Sequence, residues 1–260
     1  MSIHFFKYQG AGNDFVLVDN RDHSFPADNY EGIKFICDRR FGIGGDGFML
    51  LEPSQKADFK MVYYNADGRP GSMCGNGGRC ITAFAHHLNI FEKKVRFEAG
   101  NHIYTAEIDG DSVHLQMSNV DRVEKFDDHY FLDTGSPHHI VFVDQVDKVD
   151  VVETGRAIRY GAPYFEEGSN VNFVEQTGPD SFKIRTYERG VEDETLSCGT
   201  GVTAVALAVH HSGRTDQQEV RIQAQGGKLK VSFDAINDHY EGIVLSGPAT
   251  YVFEGQIELP

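Results

Sequence analysis

Asn65-Ala-Asp-Gly-Arg-Pro-Gly-Ser-Met-Cys74-Gly-Asn-Gly-Gly-Arg-Cys-Ile-Thr-Ala-Phe-Ala-His86-His87 and Glu188-Arg-Gly-Val-Glu-Asp-Glu-Thr-Leu-Ser-Cys198-Gly-Thr-Gly-Val-Thr-Ala-Val-Ala-Leu-Ala-Val-His210-His211 are two versions of one stretch. Each passes through a polar, glycine-containing loop to a cysteine, then Gly-x-Gly, then a run of small apolar residues. In both, a His-His pair begins 12 residues after the cysteine. The likeness extends outward. Phe59-Lys-Met-Val-Tyr-Tyr-Asn65 aligns with Phe182-Lys-Ile-Arg-Thr-Tyr-Glu188 at an offset of 123, the cysteines lie 124 apart, and Val95-Arg-Phe-Glu-Ala matches Val220-Arg-Ile-Gln-Ala at 125. Offsets this steady indicate an internal duplication.

The order of elements repeats as well. Ile3 to Tyr8 and Phe15 to Val18 read as strands flanking Gly10-Ala-Gly-Asn-Asp14, being rich in β-branched and aromatic residues. Asp28-x-x-Glu31 has the form of a capping box, which predicts a helix to about Arg40. Strands follow at Phe48 to Leu51 and Phe59 to Tyr64. A meander runs through Val95 to Ala99, His102 to Ile108 and Val113 to Met117. In the second half Gly135-Ser-Pro-His138, the strand at Ile140 to Val143 and the helix from Asp150 replay the beginning. The runs after Cys74 and Cys198 carry few charges, and a helix apolar nearly all round is a buried one. The fold class expected is α+β: two homologous domains, each a mixed or antiparallel, barrel-like sheet around a central buried helix, with the active site in the interdomain cleft. The domains expected are residues 1–119 and 120–248. The last segment, 249–260, exceeds what the first half contains and is a candidate strand crossing back to complete the first domain.

Composition bounds the function. The 260 residues are 40% hydrophobic and 24% charged, ordinary for a globular protein. A net charge of −15 argues against nucleic acid or an anionic membrane as partner, because phosphate contact needs clustered Lys and Arg. No apolar run approaches the roughly 18 residues that span a bilayer. The start, Met-Ser-Ile-His-Phe-Phe, lacks the pattern of a secretory leader, so a cytoplasmic setting is expected. The four cysteines, Cys37, Cys74, Cys80 and Cys198, have neither zinc-site spacing nor the density of a disulfide framework.

A cysteine at a helix start is a special thiol. Unpaired backbone N–H groups and the helix dipole favour an anion there, which lowers the thiol pKa. Moving a thiol from about 8.5 to about 7 takes roughly 2 kcal/mol, while a helix end typically supplies about 0.3–1. A neighbouring group has to help, and His138, Glu188 and Arg189 are candidates. Cys37 and Cys80, with no Gly-x-Gly after them, read as small buried hydrophobes. If two related domains close by pseudo-two-fold symmetry, Cys74 and Cys198 face each other across a ligand. One as thiolate and the other as thiol, they take a proton from one face of a carbon and return one to the other, inverting a stereocentre. A close pair of this kind titrates as a unit. Two other readings are open: a cysteine hydrolase with His138 as base, and a thiol redox or binding protein.

With those residues in place, the chain resembles the diaminopimelate epimerases across nearly its whole length. The resemblance rests on Gly10-Ala-Gly-Asn-Asp-Phe15, Asn65-Ala-Asp-Gly with Met73-Cys-Gly-Asn-Gly-Gly-Arg-Cys80, and Tyr187-Glu-Arg-Gly190 with Ser197-Cys-Gly-Thr-Gly201. It implies cofactor-independent conversion of LL- to meso-2,6-diaminopimelate, in lysine and peptidoglycan precursor biosynthesis, by a homodimer. It implies that Cys74 and Cys198 are the acid–base residues, assisted by His138 and Glu188. The substrate contacts it implies are Asn13, Asn65, Gly75, Asn76, Asn170, Glu188, Arg189, Gly199 and Thr200. No metal is implied. Many members have Gln where this chain has Gly47, which removes a side-chain contact, and Asn where it has Ser136. Read without the family, Asn13, Asn65 and Asn170 also suit turns, Arg189 also suits a surface ion pair, and His138 also suits a structural role.

Overall fold

Phe48-Met-Leu-Leu51 has no polar residue to turn towards water, and a strand of that kind needs cover on both faces. Its cover is a helix on either side. In the computed structural model, which describes residues 1–71, 73–237 and 239–259, the chain divides into two compact units. One comprises residues 1–115 with 248–260, the other residues 116–247. Ser72 of the first quoted loop and Pro260 of the expected last strand lie outside the described residues.

The first unit contains β1 (Ser2–Gly10), β2 (Asn13–Asp19), α1 (Tyr30–Cys37), β3 (Gly47–Glu52), β4 (Phe59–Asn65), α2 (Gly75–His87), β5 (Lys94–Ala99), β6 (His102–Asp109) and β7 (Ser112–Gln116). The second contains β8 (Glu124–Lys125), β9 (Tyr130–Asp133), β10 (Pro137–Phe142), α3 (Val151–Tyr160), β11 (Asn170–Gln176), β12 (Ser181–Glu188), β13 (Asp193–Thr195), α4 (Gly199–His211), β14 (Glu219–Ala224), β15 (Gly227–Ile236) and β16 (His239–Pro248). The chain then returns to the first unit as β17 (Thr250–Glu258), antiparallel to β1 from Ser2 opposite Glu258 to Gln9 opposite Thr250.

The two units share one topology. β2 and β3 pair in parallel across α1, and β4 and β5 in parallel across α2. In the same way β10 and β11 pair across α3, and β12 and β14 across α4. Alternation along the strands sorts side chains between the two helices. Val16, Val18, Phe48, Leu50 and Tyr64 meet Ile33 and Ile36 of α1 in one core. Met49 and Met61 point to the other face, where Met49 Sδ and Met61 Cε come close to Gly77 of α2. The sheet wraps α2, which packs against β1, β2, β3, β6 and β17. α4 is wrapped by β9, β10, β11, β14 and β15 in its own unit. From Val202 to Val209 every residue of α4 is buried.

α1 is shorter than the capping-box reading has it. Asn29, not Asp28, caps it, its Oδ1 accepting the Gly32 N–H at 3.0 Å. It stops at Cys37 rather than Arg40 because the Asp38 carboxylate accepts the N–H groups of Arg40 and Phe41 at 2.7 and 2.8 Å, a local turn that competes with the next helical turn. No helix among the described residues is long and apolar enough to cross a membrane.

Candidate active site

Cys74 is the N-cap of α2. Its backbone is extended (φ −114°, ψ 154°), and its Sγ accepts the Gly77 N–H at 3.2 Å. The thiol thus takes the place that a Ser or Asp oxygen takes in an ordinary cap. The second glycine of Gly-x-Gly makes room for it: a Cβ on Gly77 would itself lie 3.2 Å from that sulfur. Gly75 and Asn76 follow in the first turn and are buried. Asn76 Nδ2 donates to Asn13 Oδ1 at 3.2 Å, and Asn13 Nδ2 donates to Asp46 Oδ2 at 2.5 Å. Behind them stands an ion cluster. Arg39 bridges Asp46 and Asp14 at 2.8 and 2.6 Å, and buried Lys7 pairs with Asp14 at 2.6 Å. Burial pushes the Asp14 carboxyl up, but hydrogen bonds from Arg39 and Lys7 outweigh it and hold it down at about 2. The glycine-dense turn ending at Gly47 is therefore tied by fixed charges to the residues next to Cys74.

In the second unit Cys198 is the N-cap of α4 and only 7% exposed. Its Sγ lies 3.4 Å from Thr200 Oγ1, and Thr200 Oγ1 lies 3.0 Å from His138 Nε2. The proton positions follow from the partners. Asn172 Oδ1 accepts from Thr186 Oγ1 at 3.0 Å, so its Nδ2 faces His138 Nδ1 at 3.1 Å and donates to it. His138 therefore carries its hydrogen on Nε2 and donates it to Thr200, leaving the Thr200 hydroxyl hydrogen for the sulfur. Burial, then the nearby Arg189 charge, pushes His138 down to about 3, so the ring is neutral. Gly201 repeats the service of Gly77: a Cβ there would come within 2.6 Å of Asn172 Oδ1 and 3.3 Å of His138 Cε1.

The remaining expected residues of this unit lie beside that relay. Asn170 Oδ1 accepts the Arg189 N–H at 2.9 Å, and its Nδ2 donates to Ser136 Oγ and the Pro137 carbonyl at 2.9 and 3.0 Å. Ser136, at the position of the departure noted in the sequence, is thus bonded. The Arg189 side chain donates to the Glu167 carbonyl at 2.9 Å rather than to a carboxylate. Glu188 ends β12 and accepts from Thr195 Oγ1 at 2.8 Å. Asn65 ends β4, and its backbone closes the turn to Gly68 and Arg69, as the turn reading has it. Cys37 and Cys80 are buried, and burial raises both thiols to about 12, so neither ionises near neutrality.

Two site residues escaped the sequence reading. Asn172 looks like any strand residue, yet it is wholly buried and sets the His138 tautomer. Arg79 lies in α2 with no exposure. Its Nη1 and Nη2 donate to the Gly75 carbonyl and Asn76 Oδ1 at 3.2 and 2.9 Å, while its Nε has no partner among the described residues. Burial lowers its pKa. Arg79 braces the turn that follows Cys74.

Comparison with known proteins agrees with the duplicated architecture. The sequence model of the family described as diaminopimelate epimerase matches the chain twice, at residues 5–123 and 130–252. The diaminopimelate epimerase of Flavobacterium psychrophilum is 54% identical over 253 residues, covering 97% of this chain and 99% of that one. That of Aquifex aeolicus is 37% identical over 274 residues, covering 97% of each. Among solved structures, a Bacillus anthracis phenazine biosynthesis protein of the PhzF family superposes with a TM-score of 0.78 at 15% identity, covering 99% of both chains. A hydroxyproline epimerase from Agrobacterium vitis gives 0.71 at 15% identity, covering 98% of this chain and 92% of that one. The last two share the fold alone. A match that takes in both halves, with relatives alike from end to end, means that the chain belongs to the diaminopimelate epimerase family.

Proposed function

We propose that the protein epimerises LL-2,6-diaminopimelate to the meso form with Cys74 and Cys198 as its acid–base pair, without cofactor or metal. The observation that carries this reading is the matched placement of the two thiols, each capping a buried helix directly before Gly-x-Gly. One sulfur, as thiolate, removes the α-hydrogen. The pair of electrons left on carbon spreads into the adjoining carboxylate. N–H groups at the helix starts, from Gly75 and Asn76 and from Gly199 and Thr200, stabilise that charge. The other thiol returns a proton on the opposite face, so the stereocentre inverts. The roles exchange when the reaction runs backwards.

The polar residues divide the work. The neutral His138 and Thr200 direct a hydrogen towards Cys198 Sγ, favouring its thiolate. Glu188 assists proton transfer from the end of β12. Asn13, Asn65 and Asn76 bind substrate from the first unit. Asn170 and Arg189 bind it from the second, Arg189 as a fork for a carboxylate. A homodimer in the cytoplasm, serving lysine and peptidoglycan precursor synthesis, completes the proposal. The test is incubation of the purified protein with LL-diaminopimelate in deuterium oxide. Deuterium at the α-carbon together with meso product is expected, and both are expected to form at least about a hundredfold more slowly in Cys74→Ala and in Cys198→Ala. Absence of exchange by the unaltered protein with either stereoisomer would sink the reading.

A further inference from the structure

Tyr63 holds a place on the Cys74 face of the first unit that no assigned residue fills. It lies on β4 two residues after Met61 and two before Asn65, so all three project to the same side of the sheet. That side is the one occupied by Cys74, because a Cβ on Gly77 would lie 3.2 Å from Cys74 Sγ and 3.4 Å from Met61 Cε. The phenol ring is held between two glycines. A Cβ on Gly47 would meet Tyr63 Cε2 at 2.6 Å and its hydroxyl at 2.7 Å, and a Cβ on Gly71 would meet Cδ1 and Cε1 at 2.6 Å. The same point over Gly71 is 2.9 Å from Asn65 Oδ1, so the ring and the Asn65 amide are neighbours. Phe15 meets the ring edge-on, with centroids 6.2 Å apart. The side chain is half-buried rather than packed away, unlike Tyr64 beside it, which faces the α1 core.

The spacing matches a substrate with two polar ends. Two residues of strand cover roughly 7 Å, and four carbon–carbon bonds separate the two amino-bearing carbons of a diamino diacid by roughly 5 Å. With the reacting carbon at Cys74, beside Met61, the far carboxylate falls at the level of Tyr63. Gly47 leaves its own position without a side chain, and the hydroxyl occupies that space. Resting on the function proposed above, we infer that Tyr63 is a substrate-binding residue whose hydroxyl donates to the far carboxylate, and that Gly47 and Gly71 are small so as to seat its ring.

The test pairs Tyr63→Phe with Gly47→Ala, each assayed for KM and kcat by α-hydrogen exchange. Tyr63→Phe is expected to lower kcat/KM for LL-diaminopimelate ten- to a hundredfold, mainly through KM, the worth of one hydrogen bond to a charged group. Gly47→Ala, which forces the ring out, is expected to raise KM similarly, and the double variant to be no worse than Gly47→Ala alone. Inhibition by L-lysine, which is the same chain without the far carboxylate, is expected to be unchanged in Tyr63→Phe. An unchanged KM in Tyr63→Phe, or equal weakening towards diaminopimelate and lysine, would overturn the assignment. Failure of the unaltered protein to exchange the α-hydrogen would instead count against the function.

Discussion

Four cysteines share one covalent structure and have different environments. Cys37 and Cys80 are closed off from solvent, and that burial raises their pKa to about 12, while Cys74 and Cys198 stand where helix N–H groups converge. Replacing either of the latter with Ala is expected to slow α-hydrogen exchange by about 10²–10⁴-fold, the range for a positioned acid or base, and steady-state exchange rates check it. Asn172 acts one step back. Asn172→Ala strips His138 Nδ1 and Thr186 Oγ1 of their partner in a dry site. It is expected to cost about 1–3 kcal/mol in urea unfolding and to lower kcat while KM stays put. A variant with unaltered stability and kcat would show that the relay has no such role. None of this was legible locally, since an Asn in a strand carries no sign of the imidazole it will meet. The cysteines were legible because Gly-x-Gly follows each.

The helices show which features of an element lie in its own residues. α2 and α4 begin one residue after their cysteines and end on the His-His pairs, bounds that the repeated pattern implies. α1 ends short of Arg40 because Asp38 stops it through its own side chain. Capping by Asn29 gives a direct check: Asn29→Ala is expected to lower stability by about 1 kcal/mol in urea melts. Asp28→Ala is expected to have a much smaller effect. The Gly-x-Gly turns predict a sharper outcome. Gly201→Ala places a methyl 2.6 Å from Asn172 Oδ1 in a wholly buried spot, so the relay must shift. kcat is expected to fall about 10²-fold, the usual penalty for misplacing a reacting group by about 1 Å.

Over the whole molecule, two buried neutral histidines make stability depend on pH. His138 is held at about 3 and His139 at about 4, chiefly by burial, against about 6.5 when unfolded. Below pH 6.5 the unfolded chain binds protons that the native one refuses. The contribution of each is complete above that pH and is lost as pH falls towards the folded value. Between about pH 4 and 5.5, His138→Asn is expected to flatten the fall in unfolding free energy by about 1.4 kcal/mol per pH unit, one proton's share, as read from urea melts. β17 is the other global feature. It covers one edge of β1 along its length, so ending the chain at Pro248 is expected to leave that edge open, with β2 still on the other, and to drive aggregation, measured by light scattering at native pH. A monodisperse, folded truncation product would contradict that.

The amino-acid sequence determined the duplication, the succession of elements along each half, the two buried helices and the two thiols at their starts. These depend on hydrophobic period, glycine placement and caps, all of which act over a few residues. Tertiary structure alone decided that Arg79 is buried without a carboxylate partner, that Asn172 fixes a tautomer, and that Tyr63 lies in the space left by Gly47 and Gly71. Those facts depend on how helices and strands come together in space, and the local pattern of the chain carries no mark of them.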